Sequence, residues 1–176
     1  MSEGMRNILP VGSEIYSTMS VDPKVPASQT PASAGPSEVV RLARNHLRWG
    51  WWTMLAFLSL GIVLEAFHAF KVQWYLNVAN ETRRLMFTLA HAHGTLLSLI
   101  HIALGCCLLL LQPGGSWKAA SRCLTWASLL IPGGFLLGGI VIFSGDPGIG
   151  ILLLPVGAVM LVIAVFLIAT KFNRSS

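Results

Sequence analysis

The chain has 176 residues, 54% of them hydrophobic and only 11% charged, with a mean hydropathy of +0.68. A water-soluble domain carries about 25% charged residues, and the shortage here is concentrated after residue 48, which excludes a soluble globular fold for most of the chain. The net charge of +5 comes from basic residues that flank apolar segments instead of clustering with aromatics on a soluble face, so it argues for membrane topology and against a nucleic-acid partner.

Residues 1–36 are rich in Pro, Ser, Ala, Thr and Gly ("DPKVPASQTPASAGPS" over 22–37) and show no apolar periodicity. Such a segment buries too little apolar surface to offset its conformational entropy, and a disordered cytoplasmic tail is predicted, with no signal peptide. Ser37 followed by Glu38 has the chemistry of a helix N-terminus, a hydroxyl for free amides and a carboxylate at the positive end of the helix dipole. Next, "SEVVRLARNHLRWGWW" places Arg41, Arg44 and Arg48 at helical spacing ahead of three tryptophans. This is a basic, aromatic collar at a membrane surface, with guanidinium groups at lipid phosphate and indoles at the interface.

Four apolar runs follow, at about 49–70, 85–111, 123–143 and 149–170. Each reaches the roughly 20 residues that a helix needs to cross a bilayer. Helices are required because lipid offers backbone amides no partner. "QPGGSWK" (112–118) and "SGDPGIG" (144–150) read as tight turns, and the longer 71–84 linker, with Trp74 and Tyr75, is predicted to lie along the opposite interface. The predicted fold is therefore all-α: a membrane domain over 37–176 that is a four-transmembrane-helix bundle with up-down-up-down topology. Arg41, Arg44, Arg48, Lys118, Arg122, Lys171 and Arg174 lie on one side, and only Lys71, Arg83 and Arg84 on the other. That imbalance predicts cytoplasmic N and C termini in a bacterial inner membrane, with the lipid bilayer as the first partner.

Ionisable groups within the spans carry the functional signal, because they are costly in lipid. Glu65 and His68 fall near the outer end of the first run; His91 and His93 fall near the outer end of the second, and Asp146 is on the same side. Glu65 and His68, three residues apart, share a helix face, whereas His91 and His93 differ by about 200° around the axis and cannot both enter one site. His91 belongs to a stripe with Gly94, Ser98, His101 and Gly105 suited to close helix packing. In the third run, Gly134 and Gly138 form GxxxG, which admits a neighbouring helix within the chain or across a homodimer; Pro132 beside them is predicted to kink the helix, and the freed carbonyl before Pro155 needs a partner.

A metal site would take Glu65, His68 and one of His91 or His93. A bis-histidine haem would take His68 with His91, since the third and fourth runs contain no histidine. A third alternative is a Glu–His hydrogen-bonded pair that only fixes two helices. Cys106, Cys107 and Cys123 have no metal spacing and read as small apolar residues. No Walker loop, HExxH or GxSxG occurs, so the reading leans away from an enzyme.

"LAHAHGTLLSLI" (89–100) resembles small four-helix bacterial membrane proteins with an AHAH element at the start of their second span. Those are similar in turn to a fragment of haem–copper oxidase subunit I and nitric oxide reductases. The resemblance covers the first two runs loosely, with a similar flavour in "GILLLPVGAVML", and implies haem ligation by His91 or His93. The chain departs from that pattern in having no histidine beyond His101, so a second ligand would come from His68 or another subunit. The expected function is a non-enzymatic small subunit or accessory protein of a membrane complex. The alternative is a redox protein binding haem or quinone near the outer face through Glu65, His68, His91 and His93, and a small-solute transporter ranks third.

Overall fold

The computed structural model describes residues 38–78 and 81–173. The predicted tail, the Ser37 cap and Arg174 lie outside the described residues. In chain order the elements are α1 (Glu38–Ala69), a single turn α2 (Gln73–Leu76), α3 (Glu81–Leu111), α4 (Lys118–Ile140), strands β1 (Ile142–Phe143) and β2 (Asp146–Pro147), a 3₁₀ turn (Ile149–Leu152) and α5 (Leu153–Asn173). The segments 38–69, 81–111, 118–140 and 149–173 are long and apolar enough to cross a membrane. The chain is thus an all-α, multi-pass integral membrane protein built as a four-helix bundle.

Helix lengths exceed the apolar runs where polar residues continue the helix into the interface. With 32 residues, α1 is about 48 Å long at 1.5 Å per residue, well beyond a hydrocarbon core of about 30 Å. Its first three turns carry Arg41, Arg44 and Arg48, as the collar requires. The Lys118 ammonium lies 3.0 Å from the Glu38 carboxylate, tying the start of α1 to the start of α4.

Consecutive long helices pack side by side: α1 on α3, α3 on α4, α4 on α5. Within the chain, 39% and 44% of the most apolar stretches of α3 and α4 are buried, against 11% for α1 and α5. The middle pair is therefore the core, and the outer pair leaves most of its apolar surface uncovered by the rest of the chain. One apolar cluster gathers Ala43, Leu104, Leu108, Trp117, Leu124 and Ala164 near the chain-terminal end of the bundle; another gathers Leu64, Tyr75 and Phe87 at the opposite end.

The connections refine the expected turns. Between α4 and α5, Ile142 pairs with Pro147 and Phe143 with Asp146 in an antiparallel ribbon, so α4 stops at Ile140, short of the expected 143. Ser144 and Gly145 at its tip both have positive φ (51° and 89°), the handedness that matches strand twist in a two-residue hairpin. Pro155 falls in the first turn of α5, where a missing amide costs least. The carbonyl four residues earlier, Ile151 O, accepts from Leu153 N–H. Pro132 sits inside α4, which continues through it to Ile140. In the 71–84 linker, α2 buries Tyr75 to 1% exposure against Phe67 and Phe87.

Candidate functional site

The residues expected to form an outer-end site are divided by the fold. Glu65, His68 and His91 line one cavity of about 420 Å³, together with Leu58, Gly61, Ile62, Leu64, Tyr75 and Thr88. α1 and α3 supply its walls and α2 closes one end through Tyr75, whose ring meets His68 edge-on with centroids 5.2 Å apart. A neighbouring cavity of about 620 Å³ shares His68 and Thr88 and adds Glu81, Thr82 and Arg84. His93 lies on the other side of α3. Its ring stacks on Phe135 of α4 at 5.0 Å, and its Nδ1 bonds Leu89 O one turn back at 2.9 Å. Asp146 is exposed in the β1–β2 hairpin.

Each cavity histidine is oriented by a main-chain carbonyl. His91 Nδ1–H donates to Phe57 O across the α1–α3 seam at 2.7 Å, and His68 Nδ1–H donates to Leu64 O at 3.3 Å. A proton held on Nδ1 leaves the Nε2 lone pair to accept a hydrogen bond or bind a metal. Glu65 and His68 are exposed, and His91 is half-buried. Glu65 takes no part in the ion pairs among the described residues, Arg84–Glu81 and Lys118–Glu38.

The small-residue stripe of α3 meets α1. The Phe57 ring lies directly over Gly94, and Ala43 O and Leu47 lie over Gly105. From the α1 side, the His91 ring covers Gly61, and Ile102 with Ser98 O covers Gly50. Ser98 Oγ lies 2.8 Å from Thr53 Oγ1 and 2.7 Å from Gly94 O. In α4, Gly134 packs against Gly150 O, Leu153 and Leu154, and Gly138 faces Gly148 O and Ile151 N, so the GxxxG face is occupied within the chain.

The histidines that actually meet are His46 and His101. Their Nδ1 atoms are 2.7 Å apart and their ring centroids 4.9 Å. His46 is 3% exposed and His101 fully buried. His46 Nε2 reaches Ser121 Oγ of α4 at 2.9 Å; His101 Nε2 reaches Ser128 Oγ at 3.1 Å, which also receives Trp49 Nε1–H at 3.2 Å. Ser128 Oγ lies 2.8 Å from Thr125 O. When Ser128 donates to that carbonyl, every other proton has one place: His101 Nε2–H to Ser128, His46 Nδ1–H to His101, Ser121 O–H to His46. Both rings are then neutral and all four ring nitrogens paired, as burial in lipid demands.

Sequence reasoning set His101 in the packing stripe and left His46 unassigned. The available signal was the antiparallel hairpin itself, which brings together residues equally distant from its connection, and His46 and His101 nearly satisfy that. Among the described residues no three His, Cys, Asp or Glu side chains are grouped to hold a metal ion. The two polar centres therefore differ in kind: one is saturated by its own members, and the other is lined by groups with free acceptors. Neither protein-family models, nor curated proteins, nor solved structures match this chain.

Proposed function

We propose that this is a non-enzymatic small subunit or accessory protein of a membrane complex in a bacterial inner membrane, with cytoplasmic termini and the α2 and hairpin end outside. The observation that carries the reading is Glu65: an exposed carboxylate on a spanning helix, one turn from the end of α1, without an ion-pair partner among the described residues. A charge at this depth is costly unless it is paired, and a cationic or hydrogen-bond-donating side chain on a neighbouring membrane protein would satisfy it. The saturated His46–His101 network fits the same reading, since it orders three helices and leaves no group free for chemistry. A photocrosslinker placed at Ile62, beside Glu65, tests this in native membranes. One membrane protein captured in near-equal amount, and lost with Glu65→Gln, supports the proposal; a monomer without crosslinks overturns it.

The second reading, a quinone or haem contact, is favoured by one arrangement: Glu65, His68 and His91 share a cavity in which both histidines hold their Nδ1 protons on carbonyls. A quinone carbonyl would accept from a hydroxyl or a protonated ring, and a quinol hydroxyl would donate to Nε2 or to Glu65. His91 is the haem ligand that the AHAH resemblance implies on this face, and His93 would serve another surface. Optical spectra and organic extraction of the purified protein separate the two ligands. The absence of both a Soret band and extractable quinone, in protein made with ample haem, removes this reading.

A further inference from the structure

Another cavity, of about 500 Å³, opens at the chain-terminal end of the bundle between α1 and α4. Leu42, Asn45, His46, Arg48, Trp49, Trp52, Ser121 and Thr125 line it. Arg48 and Asn45 are exposed at its mouth, whereas His46 is buried and reaches the cavity only as part of its floor. Neither ion pair among the described residues involves Arg48. Its charge is therefore available, next to an amide and two hydroxyls and flanked by two indoles. That set of groups matches an anion carried on an apolar body: guanidinium and amide donors for phosphate oxygens, indole faces for a glycerol backbone and the first methylenes.

The hydroxyls at the cavity floor are already committed. With Ser128 donating to Thr125 O, Ser121 O–H is held by His46 Nε2, and Thr125 O–H is held by Ser121 O at 2.9 Å. The donors left to the cavity are the Arg48 guanidinium and the Asn45 amide.

We propose that this cavity binds the phosphodiester headgroup of an anionic phospholipid, with Arg48 as the charged anchor, Asn45 as a hydrogen-bonding partner, and Trp49 and Trp52 against the lipid body. The site is independent of the outer-end cavity and of the partner assigned to it. The test is native mass spectrometry of the full chain after detergent exchange, presented with equal phosphatidylglycerol and diacylglycerol, which has the same glycerol and acyl chains without the phosphodiester. Wild type retains one phosphatidylglycerol in preference to diacylglycerol. Arg48→Gln lowers that preference about tenfold, the value of one charge-assisted hydrogen bond. Arg44→Gln, an exposed arginine of the same helix outside the cavity lining, keeps it. Equal loss in both variants, or none in either, overturns the proposal, since diffuse basic charge or no site would explain it. Inorganic phosphate forms the second arm: displacement of the lipid by phosphate at comparable concentration overturns the assignment to a lipid, and retention supports it. Thermal unfolding of each variant shows that loss of lipid is not loss of fold.

Discussion

His101 is fully buried in a spanning helix, and both of its ring nitrogens are paired, one to His46 and one to Ser128. Removing either ring leaves the other with an unanswered polar atom in a medium without water, so His101→Ala and His46→Ala should each destabilise by about 1–3 kcal/mol. The double variant should cost less than the sum by about 1 kcal/mol, because the second change removes the group that the first orphaned. A double-mutant cycle of unfolding in detergent measures this; strict additivity would mean that the two rings do not interact. Thr95 is the converse case. Its Oγ1 is buried in α3 without a partner among the described residues, so Thr95→Val, nearly isosteric, should stabilise by about 1 kcal/mol in the same assay.

Among the elements, the α1–α3 hairpin is held by rings seated on glycines. A Cβ at Gly94 would collide with the Phe57 ring, so Gly94→Val should push α1 and α3 apart and destabilise by about 1–3 kcal/mol. That displacement would also disturb His91, whose Nδ1 bonds the Phe57 carbonyl. The turns make the opposite prediction. Gln112 ends α3 at φ 39° and Ser144 sits at the hairpin tip at φ 51°, a left-handed region that costs a residue with a Cβ about 1 kcal/mol. Gln112→Gly and Ser144→Gly should therefore be neutral or slightly stabilising despite glycine's larger unfolded-state entropy, whereas Gly145→Ala at φ 89° should destabilise by more than 1 kcal/mol. Melting temperatures of the three variants decide it. The helices were legible because lipid imposes one solution on a long apolar run. The β1–β2 pairing was not, since only the Ser-Gly dipeptide hinted at it and two-residue strands have no periodicity.

For the molecule as a whole, orientation and assembly can each be read by experiment. The proposed topology predicts that Ser144→Cys is labelled by an impermeant maleimide from outside the cell, and that Ser116→Cys reacts only after permeabilisation. The reverse pattern would invert the assignment. Gly134 and Gly138 pack against the chain's own 3₁₀ turn and the start of α5, so Gly134→Leu should lower stability and leave the oligomeric state on size-exclusion chromatography unchanged. A shift towards monomer would return the GxxxG face to a dimer interface. The same packing shows which part of the candidate site could be read beforehand. Depth along a helix follows from residue number, and Glu65, His68 and His91, expected at one level, line one cavity. Which helix stands opposite each face is set by neighbours, and that choice turned His93 towards Phe135.

What the sequence alone determined is the class of protein and the positions of its helices. Apolar length, Gly-Pro turns and the basic collar are local properties, and a bilayer permits few structures to carry them. The tertiary structure decided the pairings. His46 and His101 are 55 residues apart, and nothing local to either announces the other; the register of α1 against α3, set by rings over Gly61 and Gly94, brings them into contact. That register also leaves a self-satisfied polar interior between Glu65 and Arg48, which have no ion-pair partner among the described residues.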